Sequence, residues 1–164
     1  MKDQQQLLIT MTLSAWESNI KRTDKAFDSL SDQQLSHEIS PNRNSGIYLL
    51  GHLVAVHDAI PVLLGTGPKM YPQLEAPFIT SPDKSGQSFP ATKDLRVYWK
   101  EVNARIAGQI SKWSPEDWLS KHTAVSLEDF AKEPHRNRLN IIINRTNHLS
   151  YHLGQLILLT GKNE

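Results

Sequence analysis

Asn147-His148-Leu149-Ser150-Tyr151-His152-Leu153-Gly154-Gln155-Leu156 places two histidines four residues apart in a segment with helical periodicity. On a helix that spacing puts both rings on one face, one turn apart, where they can converge on a single ion. A first-row divalent metal needs at least a third protein ligand. The obvious supplier is His52 in Ser45-Gly46-Ile47-Tyr48-Leu49-Leu50-Gly51-His52-Leu53, far away in sequence. The rest of the chain then reads as the scaffold that brings two helical segments together. The pair alone carries little weight: with seven histidines in 164 residues, an i, i+4 pair arises by chance in roughly a quarter of such chains.

Around this stretch the dominant pattern is helical. From about Gln4 to Leu30, the residues Ile9, Leu13, Trp16, Ile20, Thr23, Phe27 and Leu30 recur at steps of three and four, a single buried stripe. Ser31-Asp32-Gln33-Gln34 offers a capping box for a short helical turn. Residues 40–46 are a loop by composition. Ser45 or Asn44 can cap a second helix that runs to about Leu64 and stops at Gly65-Thr66-Gly67-Pro68. On it, Leu49, His52, Val56, Ala59 or Ile60, and Leu63 share one stripe, so His52 points with the core. His57 lies about 140° around the axis from His52 and is not expected on the same ion.

Pro68 to Pro90 shows no periodicity and reads as a site-covering or disordered connection. A third helix spans about Thr92 to Trp113, with Leu95, Tyr98 or Trp99, Val102, Ile106, Ile110 and Trp113 on its apolar face. Ser114-Pro115-Glu116-Asp117 starts a short helix, Leu119 to Arg138 looks irregular, and the last helix runs from Leu139 to near Thr160-Gly161. Four long helices without a convincing strand predict one all-α domain over 1–164, a four-helix bundle with a long crossover connection.

Composition narrows the function. The chain is 38% hydrophobic with a net charge of +1 and no basic block, which argues against nucleic acid as a partner. It has no cysteine, so disulfides and thiolate metal sites are excluded and any ion must sit on nitrogen or oxygen. The first six residues carry no signal-type apolar run. No uninterrupted apolar stretch is read as long enough to span a membrane. These features predict a cytoplasmic protein acting on a small molecule.

On the last helix, Asn144, His148, His152, Gln155 and Leu159 fall in a narrow sector between apolar flanks, a polar ribbon that either faces solvent or lines a pocket. Gln155 and Asn144 are candidates for orienting an imidazole through its other nitrogen. Trp16 is a candidate wall for a cofactor pocket or a core residue. Tyr151 lies off the ribbon and reads as packing. His37, His57, His122 and His135 read as surface or loop residues, with His57-Asp58 conceivable at a site mouth.

The pairing of Leu50-Gly51-His52-Leu53 on helix two with His148-Leu149-Ser150-Tyr151-His152-Leu153-Gly154-Gln155-Leu156 on the last helix resembles the DinB/YfiT-like superfamily. The resemblance covers nearly the whole chain: helix count, the position of each histidine, the capped Ser-Pro-Glu-Asp segment and the length. It implies a bundle with a divalent metal bound by three histidines at one end, His52, His148 and His152 matching the ligand positions. It also implies low-molecular-weight-thiol transfer of the bacillithiol or mycothiol kind, or isomerisation, and a homodimer. Zinc and nickel both suit such ligands. No Glu or Asp accompanies the histidines on the ribbon, which favours thiolate delivery over hydrolysis with a carboxylate base. Three readings stay open: a thiol S-transferase, a hydrolase using metal-bound hydroxide, and a non-catalytic metal-binding or dimerisation module.

Overall fold

The apolar stripe of the first segment becomes α1, Lys2–Ser29, in the computed structural model, which describes residues 2–161. Ile9, Trp16, Thr23, Phe27 and Leu30 are buried, and Leu13 and Ile20 pack against them. At the end of α1, the guanidinium of Arg96 donates to the carbonyl of Phe27 in the last turn and to that of Leu30 just beyond it, which satisfies main-chain groups the finished helix leaves open. Ser31 and Gln34 close the expected capping box on α2, Asp32–Ser36.

The second long segment begins at the Ser45 cap as α3, Gly46–Asp58. It does not run unbroken to Leu64. Pro61 has no N–H to give to the carbonyl of His57, so the helix breaks at Ala59 and restarts as α4, Ile60–Leu64. Gly65, at φ +74°, ends it in the left-handed conformation. Far from carrying one stripe, α3 is buried on nearly every side: Tyr48, Leu49, Leu50, Leu53, Val54, Ala55, Val56, His57 and Asp58 all lie inside. A helix that is apolar all round belongs at the centre. The stretch Gly46–Leu64 is in fact long and apolar enough, by length and composition, to cross a membrane, contrary to the reading above. Here it is the broken core segment α3–α4, with 67% of its most apolar 18-residue window buried within the bundle.

The third and last long helices are α5, Thr92–Ile110, and α8, Arg138–Leu156. Between them lie two short helices, α6 at Pro115–Leu119 and α7 at Leu127–Lys132. The segment expected to be irregular thus holds α7, capped by Ser126 through the Asp129 N–H. It buries no side chain, which is why periodicity could not reveal it. The bundle is all-α with a long crossover connection. α1 lies along α8 and α3 along α5, while α3 also packs on α8. Among the described residues there is no strand, only two isolated bridges, Glu38 with Ser45 and Lys121 with Asn137.

The connection from Gly65 to Ala91 is ordered by contacts with the bundle along its length. The buried Asp58 carboxylate accepts from the backbone N–H groups of Met70 (2.8 Å) and Tyr71 (2.7 Å). Tyr48 donates its hydroxyl to the Ser81 carbonyl at 2.9 Å. Asp83 accepts from the Ser45 N–H at 2.6 Å. Between these ties run a 3₁₀ turn, Pro72–Leu74, and a π-helical turn, Ala76–Thr80, which bury Leu74 and Phe78. This settles the choice between a site-covering and a disordered connection in favour of the first.

Candidate metal centre

α3 and α8 cross so that His52, His148 and His152 meet, each offering a ring nitrogen, with these atoms all within 4.8 Å of one another. His148 Nε2 lies 3.2 Å from His52 Nε2 and 3.1 Å from His152 Nε2. The outer nitrogens decide the tautomers. His52 Nδ1 is 2.8 Å from the Phe78 carbonyl, which only accepts, so Nδ1 carries the proton and Nε2 a lone pair. His152 Nδ1 is 2.7 Å from Gln155 Oε1 and is fixed in the same way.

Two lone pairs therefore aim at a third nitrogen. A proton on His148 Nε2 would satisfy one of them and leave the other facing an N–H already used. A cation satisfies all three. Tetrahedral ligands about 2.05 Å from zinc stand about 3.3 Å apart, close to the separations found. The residues present fit a divalent ion on three imidazoles, with positions left for a further ligand.

Electrostatics agree. Burial lowers the pKa of His52 and of His152, and burial together with its two partner rings and Arg145 brings His148 down to about 4. All three are neutral ligands at physiological pH, so an ion does not have to displace protons from them.

The family model described as the DinB superfamily matches residues 15–156. The chain belongs to the DinB superfamily. Among solved structures, that of a DinB-like protein from Bacillus cereus ATCC 10987 is similar, with a TM-score of 0.65 and 21% sequence identity over 90% of this chain and 87% of that one. At that identity the likeness establishes the fold. Among curated proteins none matches the chain.

Within this DinB bundle the other sequence candidates separate. Gln155 stands on the outer nitrogen of His152. Asn144 is exposed and hydrogen-bonds to none of the three imidazoles. Trp16 is not at the metal centre. It lines a separate cavity of about 510 Å³, with Leu13, Ile110, Trp113 and Trp118, and its ring lies 5.0 Å from that of His57. Tyr151 is exposed, its ring against the edge of His152.

His57 was expected at the surface and is fully buried. The 140° that separates it from His52 turns it toward α1 and α5, because α3 has no outer face. There it packs between Trp16 and Trp99, and Nδ1 donates to Asn103 Oδ1 at 2.9 Å. Burial drives its pKa to about 3, against about 6.5 in an unfolded chain. Between those values the unfolded chain holds a proton that the folded chain does not. Stability therefore rises with pH across this window and is lost as pH falls toward 3. We expect the denaturant midpoint of the metal-free protein to be lower at about pH 4.5 than at about pH 7, and the difference to shrink in His57→Gln. An undiminished difference in the variant would refute the assignment.

The sequence ribbon showed no carboxylate, yet the structure supplies one. A cleft of about 390 Å³ opens on His52 and His148, and its wall carries Lys69, Glu75 and Ile79 from the Gly65–Ala91 connection and Arg145 from α8. Lys69 and Glu75 pair with each other. No sequence signal placed these residues, because the connection that brings them has no period. Removing the amide in Gln155→Leu should loosen the His152 ring and weaken zinc binding by about 10- to 100-fold, measured by competition with a chromophoric chelator. Unchanged affinity would show that Gln155 has no hold on the site.

Proposed function

We propose that this DinB superfamily protein is a cytoplasmic enzyme in which His52, His148 and His152 hold zinc or nickel, and which transfers a low-molecular-weight thiol to a small electrophile. The observation that carries the reading is the convergence of three neutral imidazole nitrogens, two of them locked by outer hydrogen bonds, beside a cleft that His52 and His148 line. A dication held by these uncharged ligands would keep its charge, and a thiol bound there would lose its proton to solvent and be held as thiolate. The protein's own work is positional. Phe78 and Gln155 hold the lone pairs inward, and Ile79 contributes apolar wall to the cleft.

One observation favours a second reading, hydrolysis. Glu75 is the acidic side chain lining the cleft among the described residues, and a carboxylate of this kind can serve as a general base. The two readings part in one experiment. The zinc- and nickel-loaded protein is assayed for thiol consumption against a panel of electrophiles, and for cleavage of model esters and amides. Thiol consumption that survives Glu75→Gln supports the transferase. Ester or amide cleavage that Glu75→Gln abolishes, with no thiol consumed, replaces it by the hydrolase. Metal uptake without turnover on either panel leaves a non-catalytic metal-binding or dimerisation module. A homodimer belongs to the same proposal. It is supported by Leu8, Met11 and Ile143, which stay exposed along a groove between α1 and α8, and sedimentation tests it.

A further inference from the structure

The cleft that opens on His52 and His148 holds a cation without a counter-charge. Arg145 sits on α8 one turn before His148, on the same side of the helix. It lines the cleft together with His52 and His148. Its Nε is buried and has no hydrogen-bond partner. Among the described residues Arg145 forms no ion pair, whereas the other cation of the cleft, Lys69, is matched by Glu75. Burial pulls the pKa of Arg145 below its usual value, so the fold holds this charge at a cost. A guanidinium nevertheless stays protonated in proteins.

The placement is unfavourable for the protein alone. Arg145 opposes positive charge on His52 and His148, so it repels an ion bound by the same rings. Arg145 and Lys69 against Glu75 leave one net positive charge in the cleft, and three once a dication is counted. A charge placed next to a cation site without a partner of its own calls for an anion that arrives with the ligand. A planar guanidinium presents paired N–H donors whose spacing matches the two oxygens of a carboxylate.

We propose that Arg145 is a substrate-binding residue that selects molecules carrying a carboxylate, and that it clamps this group while the reacting end of the same molecule lies over His52 and His148. This rests on the proposed function, and names the substrate class of that same site. A cleft of about 390 Å³ suits a small molecule of this kind.

The test uses two thiols that differ in charge and an additional probe that needs no metal. In the cobalt-loaded protein, thiolate-to-cobalt absorbance is titrated with 3-mercaptopropionate and with 2-mercaptoethanol. The parent protein should bind the carboxylate thiol at least about tenfold more tightly. In Arg145→Gln the preference should fall to about twofold or less, and Arg145→Lys should recover part of it, with one cobalt per chain retained in every case. In parallel, succinate is titrated into the metal-free protein while the arginine Nε–H signals are followed by ¹H–¹⁵N NMR, and the Arg145 signal should move saturably. An equal preference in parent and Arg145→Gln overturns the proposal, as does an Arg145 signal that succinate leaves in place. If cobalt or thiols fail to bind, the thiol-transfer reading falls separately, and the succinate titration still decides whether Arg145 takes a carboxylate.

Discussion

His148→Ala is expected to abolish retention of the divalent ion while leaving the bundle folded. His148 is the ring that both others approach, at 3.2 Å from His52 and 3.1 Å from His152 between Nε2 atoms. Removing it leaves two imidazoles from different helices with no nitrogen between them. Loss of an orienting partner alone typically costs 10- to 100-fold in affinity, so loss of a direct ligand should cost at least about a hundredfold. Thiol consumption, if the parent supports it, should drop to background with the metal. Elemental analysis after reconstitution with zinc reads the first effect. A full equivalent of zinc in the variant would sink the three-histidine assignment.

The fold should tolerate this change for stated reasons. His148 is half-buried, its Nδ1 has no partner, and its pKa lies near 4. The protein therefore carries it as a burden when no ion is bound. Truncation removes a buried unsatisfied nitrogen as well as a ring that resists protonation. Far-ultraviolet circular dichroism should be unchanged, and the metal-free variant should survive mild acid somewhat better than the metal-free parent. Loss of helical signal in His148→Ala would mean instead that the centre is structural.

What the sequence shows of this protein follows periodicity closely. The stripes on α1 and α5 and the His148–His152 pair are all consequences of 3.6 residues per turn, and the Ser31, Ser45 and Ser114 caps are local chemistry. Pro61 carries the signal for the break between α3 and α4 in its missing N–H, but the reading that ran one helix to Leu64 passed over it. His57 was misread because angular distance from one stripe implies exposure only for a helix with an outer face, and α3 has none. The Phe78 carbonyl that orients His52 is a main-chain atom, so no residue type announces it, and the turn that carries it sits in a connection without period. Lys69 and Glu75 arrive in the cleft on the same connection. Contacts made by irregular backbone were the part of the site that pattern could not supply.

That dependence on the 76–80 turn gives the second large effect, at Gly51. A Cβ on Gly51 would stand 2.2 Å from two ring carbons of Phe78. The ring is fully buried and is wedged beside Tyr48 and Phe89, at centroid distances of 5.8 and 4.7 Å. Gly51→Ala must therefore push α3 and the turn apart. Overpacking of this kind costs about 1–3 kcal/mol, which outweighs the gain of up to about 1 kcal/mol from replacing a mid-helix glycine. The carbonyl of the displaced residue is the one that holds His52 Nδ1, so zinc affinity should fall about tenfold or more together with stability. Gly108, on α5 with nothing within 4 Å of its added Cβ, is the control, and Gly108→Ala should stabilise by about 0.5–1 kcal/mol. Phe78→Leu in the Gly51→Ala background should restore part of both losses, since a smaller side chain relieves the overlap, and the cycle of single and double variants should show strong coupling. Gly51→Ala as stable as Gly108→Ala, with zinc bound as tightly as in the parent, would disprove that the glycine before His52 is there to admit the Phe78 ring and through it to aim the imidazole.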